Sequence, residues 1–182
     1  MQIYSIETGN KTLYYLSAHM KNKEVFIGLG SNLGDRAKNL KNAIHEIELT
    51  IGTIIRLSSV YETKPWGKAT QPDFFNQVIL VHSNKSPEDC LITLSGIEKQ
   101  MGRKREEKWG ARIIDLDLLY VNGHVIETNK LSLPHSGIAQ RRFVLVPLVE
   151  IAPDFIHPLL LKNQRQLLSE CSDLLEVKSL QA

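Results

Sequence analysis

Apolar positions along this chain alternate between the periods of strands and helices, and the alternation predicts its elements. Val25-Phe26-Ile27-Gly28-Leu29-Gly30 reads as a first strand ending in glycines. Ala43, Ile44, Ile47 and Ile51 then recur at helical spacing, so a helix is expected from an N-cap at Asp35 to about residue 50, stopped by Gly52. Thr53 to Tyr61 reads as a second strand, Thr63 to Pro72 as a loop, and Phe74 to Val81 as a third strand. Ser86 as N-cap with Pro87 behind it opens a second helix, with Leu91, Leu94, Ile97 and Met101 on one face and a stop at Gly102. A charged loop leads to a last strand, Ile114 to Tyr120. The order β-α-β-β-α-β predicts an α+β fold: a ferredoxin-like antiparallel sheet with helices packed on one face. C-terminal additions follow: Val125-Ile126, a loop with Pro134-His135, a short helix from about Arg141 to Glu150, and a Pro-punctuated tail. Residues 1–23 show no clear period. They read as an extension outside a single domain spanning 24–182, either a loosely ordered arm or a leader preceding a natural start at Met20.

The last strand carries the chemistry. Strand side chains alternate faces, so Asp115 and Asp117 share one face while Ile114, Leu116, Leu118 and Tyr120 supply the core on the other. Two acids on one face of a core strand need neutralising, because an unpaired buried carboxylate costs several kcal/mol or more. Salt bridging on a wet sheet face is one answer. The other is a divalent cation, with magnesium the natural choice for one or two carboxylates plus phosphate oxygens and water. The run Gly102 to Arg112 precedes this strand and holds Arg103, Lys104, Arg105, Lys108 and Arg112. Arginine forks bind phosphate oxygens in pairs, so a polyphosphate is the expected partner of the metal, with the Gly-flanked loop closing over it as a lid. Trp109 is either a core anchor or a flat surface on which that lid docks.

A second constellation lies on the third strand. Phe74 and Asn76 share a face, and a ring beside an amide suits a flat, polar heterocycle. Gly28-Leu29-Gly30-Ser31-Asn32-Leu33-Gly34 fits neither dinucleotide nor P-loop spacing and reads as a tight turn between strand and helix. His135 and Arg141 are candidates for a phosphate pocket, although a lone histidine is more often structural.

Composition changes this picture little. The chain has 182 residues, 42% hydrophobic and 23% charged, as expected of one globular domain. A net charge of +2 is too small to argue for nucleic acid. Cys90 and Cys171 form no metal or redox motif, which fits a reducing cytosol. No apolar run reaches membrane-spanning length.

Over residues 24–160 the chain resembles the 6-hydroxymethyl-7,8-dihydropterin pyrophosphokinase family. The resemblance rests on Gly28 to Asp35, Tyr61 to Pro65, Gln71 to Asn76, Trp109-Gly110-Ala111-Arg112 with Asp115-Leu116-Asp117, and Leu133-Pro134-His135 through Arg141 and Phe143. It implies transfer of the β,γ-diphosphate of ATP to the pterin hydroxymethyl group, with AMP released, in folate synthesis by a cytoplasmic, monomeric enzyme. By the same resemblance Asp115 and Asp117 would hold two magnesium ions, and Arg103 and Arg112 would stabilise charge during transfer. Phe74 and Phe143 would sandwich the pterin, with Asn76 and the stretch Thr63, Lys64 and Trp66 around its polar edge. Glu98, Arg105, Trp109, Lys130, His135 and Arg141 would line the ATP side, and Leu91, Leu118 and Leu131 would contact adenine. Phe74 stands where many members have Tyr, Lys64 where Pro is common, and Trp66 where a smaller apolar residue is common. Two other classes compete: an RNA-recognition module of the same element order, and a catalytically silent nucleotide sensor. The acidic pair would repel nucleic-acid phosphate without a metal, and the complete Asp and Arg set argues against a silent sensor.

Overall fold

The computed structural model describes residues 3–8, 11–16, 22–66, 70–103 and 110–180. Two N-terminal strands, β1 (Ile3–Thr8) and β2 (Lys11–Leu16), pair with each other as an antiparallel hairpin. The main sheet is built from β3 (Lys23–Ser31), β4 (Thr53–Leu57), β5 (Val60–Thr63), β6 (Phe74–Ser83) and β7 (Asp115–Val121). All its pairings are antiparallel: β6 lies between β3 and the β4–β5 segment, and β7 pairs on the far side of β3.

Two helices cover one face. Helix α1 (Arg36–Thr50) starts where the Asp35 side chain accepts the Lys38 N–H, and α2 (Pro87–Gln100) where Ser86 accepts that of Asp89. Their buried residues, Leu40, Ala43 and Ile47 with Cys90, Leu94 and Ile97, meet Val25, Ile27 and Leu29 of β3 and Leu116 and Leu118 of β7. The opposite face is covered as well. Helix α3 (Arg142–Ile151) and α4 (Gln164–Glu170) pack Val144, Leu145, Leu148 and Leu167 against Phe26, Val78 and Leu80. The expectation of helices on one face therefore describes α1 and α2 but not the C-terminal additions, which complete a second layer. The tail also ends in structure: β10 (Val177–Leu180) extends the sheet beside β5, while β8 (Ile126–Glu127) and β9 (Ser132–Leu133) form a short hairpin.

Two departures have local causes. The single strand expected from Thr53 to Tyr61 is broken at Ser58-Ser59. There the Ser58 side chain accepts the Val78 N–H and Glu150 takes the N–H of Ser59, so side chains replace ladder partners. In β7 the register against β3 shifts, with Ile27 opposite Leu118 but Phe26 opposite Tyr120. The extra residue reverses the facing beyond Leu118. Tyr120 consequently leaves the face of Ile114, Leu116 and Leu118, where alternation had placed it, and packs edge-on against Phe26 at 5.8 Å.

The second layer contains a titratable weak point. His157 is buried, and its Nδ1 accepts the N–H groups of Leu159 and Leu160. Burial lowers its pKa below the ordinary histidine value. The neutral form is thus favoured on folding: its contribution is complete above the unfolded-state pKa near 6.5 and is lost as pH falls below it. Urea unfolding of His157→Gln is expected to show a smaller acid-induced loss of stability between pH 7.5 and 5 than the parent. Equal losses would refute the assignment.

Candidate active site

The sheet face covered by α3 is left open at one end, and the opening is a cleft of about 320 Å³. Its floor is made by glycines. Gly28 pairs with Asp117 and Gly30 with Asp115 across β7, and Gly30 pairs with Asn76 across β6. These glycines lie in β3, as the strand read from the apolar pattern has them; of the run Gly28 to Gly34, the turn expected between strand and helix falls at Gly34, with φ +64. A Cβ on Gly30 would lie 3.3 Å from Asn76 Oδ1 and 3.7 Å from the Phe74 ring. The missing side chain keeps open the channel between the acidic and aromatic walls.

The acidic wall is Asp115 and Asp117, on the same face of β7 as alternation requires. Arg103 forms an ion pair with Asp115 Oδ1 at 2.8 Å, and Arg112 donates to Oδ2 at 2.6 Å. Arg103 also meets the buried carboxylate of Glu98, which accepts the Leu116 N–H at 2.8 Å. Glu98 thereby fixes both the arginine and the start of the acidic strand. Burial pushes the Glu98 carboxyl above its ordinary value, opposed by these hydrogen bonds and by the Arg103 charge. Asp117 is also raised, first by its enclosure and then by the neighbouring Asp115 carboxylate, with His135, Arg141 and Arg103 pulling the other way. Arg141 approaches Asp117 to 3.7 Å. The His135 backbone is anchored to the Leu119 carbonyl, and its Nδ1 accepts the Gly137 N–H, leaving Nε2 available for a ligand.

The aromatic wall holds Phe74 and Phe143, with Thr63, Lys64, Trp66 and Asn76 around them. Asn76 donates to the buried Thr63 hydroxyl at 2.7 Å, which fixes the amide's orientation. Lys64 is mostly exposed at the rim and paired with Asp73.

One part of the scaffold went unread in the sequence. Ser31 and Asn32 are buried, and Ser31 donates to the Ile113 carbonyl at 2.5 Å. Asn32 accepts the Arg112 N–H at 2.7 Å and returns its own N–H to the Arg112 carbonyl. These bonds tie Arg112 to the glycine strand. A polar pair at the end of an apolar strand was the available signal.

With this geometry in view, comparison with known proteins is decisive. The model of the 7,8-dihydro-6-hydroxymethylpterin-pyrophosphokinase (HPPK) family matches residues 26–153. The chain belongs to this family. It is a pyrophosphokinase acting on hydroxymethyldihydropterin in folate synthesis. The 2-amino-4-hydroxy-6-hydroxymethyldihydropteridine pyrophosphokinase of Aquifex aeolicus is 39% identical over 142 residues, covering 78% of this chain and 88% of that protein. The enzyme of the same name from Methylorubrum extorquens is 40% identical over 132 residues, covering 72% and 84%. Among solved structures, a Plasmodium falciparum HPPK-DHPS triple mutant with pteroate superposes with a TM-score of 0.68 at 19% identity, a likeness of fold. It covers 85% of this chain, which spans under half (44%) of that longer protein.

The remaining HPPK residues expected from the sequence fall in three places. Leu91 lines the cleft and packs against a core cluster that contains Leu118 and Leu131, both buried on the α1–α2 side of the sheet. Lys130 is exposed in the turn before β9. Arg105 and Trp109, with the rest of 104–109, lie outside the described residues.

Proposed function

We propose that the cleft transfers the β,γ-diphosphate of ATP to 6-hydroxymethyl-7,8-dihydropterin, with ATP on the acidic wall and pterin on the aromatic wall. The observation that carries this reading is the placement of the two walls on β7 and β6, either side of Gly28 and Gly30 of β3. A ring pair with an oriented amide suits a pterin, and a carboxylate pair flanked by arginines suits a metal triphosphate.

Magnesium fits these residues. Asp115 and Asp117 offer hard oxygen donors on one face, and burial, with the neighbouring Asp115 carboxylate second, raises Asp117, a tension that a cation relieves. On this reading Asp115 and Asp117 hold two magnesium ions, which would neutralise and polarise the triphosphate. The chain's own groups do the rest. Phe74 and Phe143 stack the pterin, Asn76 and the 63–66 segment fix its polar edge, and Leu91 with the Leu118–Leu131 core walls off adenine. Lys130, His135 and Arg141 meet the nucleotide phosphates or ribose, joined by Arg105 and Trp109 from the sequence reading. Arg103 and Arg112 meet the charge of the transferred group. The pterin hydroxyl oxygen bonds to the β-phosphorus as the bond between that phosphorus and the α,β-bridging oxygen breaks; AMP leaves with the bridging oxygen and the hydroxyl proton passes to solvent. Positioning and charge neutralisation carry the rate.

The strand order β4–β5, β6, β3, β7 with α1 and α2 on one face supports a ferredoxin-like topology. Residues 24–182 are read as one pyrophosphokinase domain, with 1–23 as an extension. We read the enzyme as a cytoplasmic monomer taking small-molecule substrates; no helix among the described residues is long and apolar enough to cross a membrane.

The test is product identity. Protein, magnesium, ATP and 6-hydroxymethyl-7,8-dihydropterin should yield pterin-dependent AMP. ADP would reveal a monophosphate kinase on this scaffold, and ATP binding without either product would favour the nucleotide sensor. The glycine floor gives a second check. Gly30→Val should leave the sheet intact, since valine suits a strand, yet close the channel and cut kcat/KM for the pterin by about tenfold or more, the effect of roughly 1.4 kcal/mol. Unchanged kinetics would remove Gly30 from the substrate path.

A further inference from the structure

The Arg141 guanidinium bridges the two walls of the cleft. Its central carbon stands 5.2 Å from the Trp66 ring centroid and 6.0 Å from that of Phe143. Gly137 lies against it: a Cβ there would come within 2.7 Å of both Arg141 Cζ and Nε. Nε is buried without a hydrogen-bond partner among the described residues, and the ion pair to Asp117 is long at 3.7 Å. Polar contacts therefore hold this guanidinium weakly, and contacts with its flat faces hold it more. Glycine at 137 makes room for it, and an indole at 66 supplies the strongest cation–π partner among the side chains.

We propose that Trp66 is a positioning residue for diphosphate transfer. It holds Arg141 toward Asp117 and the nucleotide, so that the segment on the pterin wall and the charge on the ATP wall are set together. This rests on the assignment of Arg141 to the ATP side and adds a role to Trp66 that stacking on pterin does not supply. A smaller apolar side chain at 66 would close the pterin wall but leave one face of the guanidinium bare. Arg141 would then sample positions away from the cleft.

The experiment is a double-mutant cycle with Trp66→Leu, Arg141→Ala and the pair, each assayed against ATP and pterin separately. Trp66→Leu is expected to lower kcat/KM for ATP about three- to tenfold, the range of a partly buried cation–π contact, with a smaller change in pterin KM. In the Arg141→Ala background the same substitution should add almost nothing, because its target is gone. Trp66→Phe should recover much of the loss, and Gly137→Ala should reproduce it, because the added methyl would come within 2.7 Å of the guanidinium and displace it. An undiminished effect of Trp66→Leu in the Arg141→Ala background, or a defect confined to pterin KM, would overturn the proposal while sparing the site. Wild-type kinetics for Arg141→Ala alone would overturn the assignment of Arg141 itself, and the proposal with it.

Discussion

Asp115→Ala is expected to fold normally and to lose transfer on the order of a thousandfold, the rate equivalent of several kcal/mol of metal-centred stabilisation. Asp115 is the first residue of β7, with about a quarter of its side chain exposed, so the sheet does not depend on it. Its two oxygens hold one arginine each, Arg103 at 2.8 Å and Arg112 at 2.6 Å. Removing the carboxylate leaves both guanidiniums without that partner. The cleft then becomes more positive while losing half of its acidic pair. ATP binding measured in EDTA should therefore be retained or tightened, whereas magnesium-dependent turnover collapses. This opposite movement separates a metal ligand from a residue that merely supports the cleft, whose loss would weaken both. Near-normal turnover in Asp115→Ala would sink the metal assignment.

The sequence exposed the elements whose apolar positions favour one period and whose ends carry caps. Asp35 and Ser86-Pro87 mark the helix starts, and alternation on β7 puts Asp115 and Asp117 on one face without reference to any relative. Alternation fails where both faces are apolar. Leu118, Leu119, Tyr120 and Val121 offer no polar position to fix the register, so the bulge that turns Tyr120 toward Phe26 leaves no trace in the pattern. The part Gly28 and Gly30 play in the cleft was hidden for a related reason. A glycine in a strand has meaning only through what lies across it, and Asp115, Asp117 and Asn76 come from segments 46 to 89 residues away. The α4 and β10 elements are short and mostly polar. The Asn163–Gln166 capping box was the readable sign of α4, while β10 depends on the free edge of β5. At the site, the aromatic–amide pair and the acidic pair were legible from the residues themselves. The bracing role of Glu98 was not, because it requires knowing that α2 runs beside the start of β7.

Arg112→Ala is expected to lower kcat by about 10²–10³-fold while ATP affinity changes little, the pattern of a donor that acts on charge developing in the transition state. Arg112 is built for one position. Its backbone is tied to Asn32 in both directions, its Nε donates to the Gly110 carbonyl at 3.2 Å, and its Nη1 reaches Asp115. Lysine has a single ammonium and cannot keep the Gly110 and Asp115 contacts in this fork geometry, so Arg112→Lys should recover only part of the loss. Arg103 gives the internal comparison, since Glu98 braces it from below. Glu98→Gln should weaken Arg103 alone and leave the dependence on Arg112 intact, which makes the two losses separable. A defect in Arg112→Ala confined to ATP affinity would make it a binding group and leave Arg103 as the arginine that meets the charge of the transferred diphosphate.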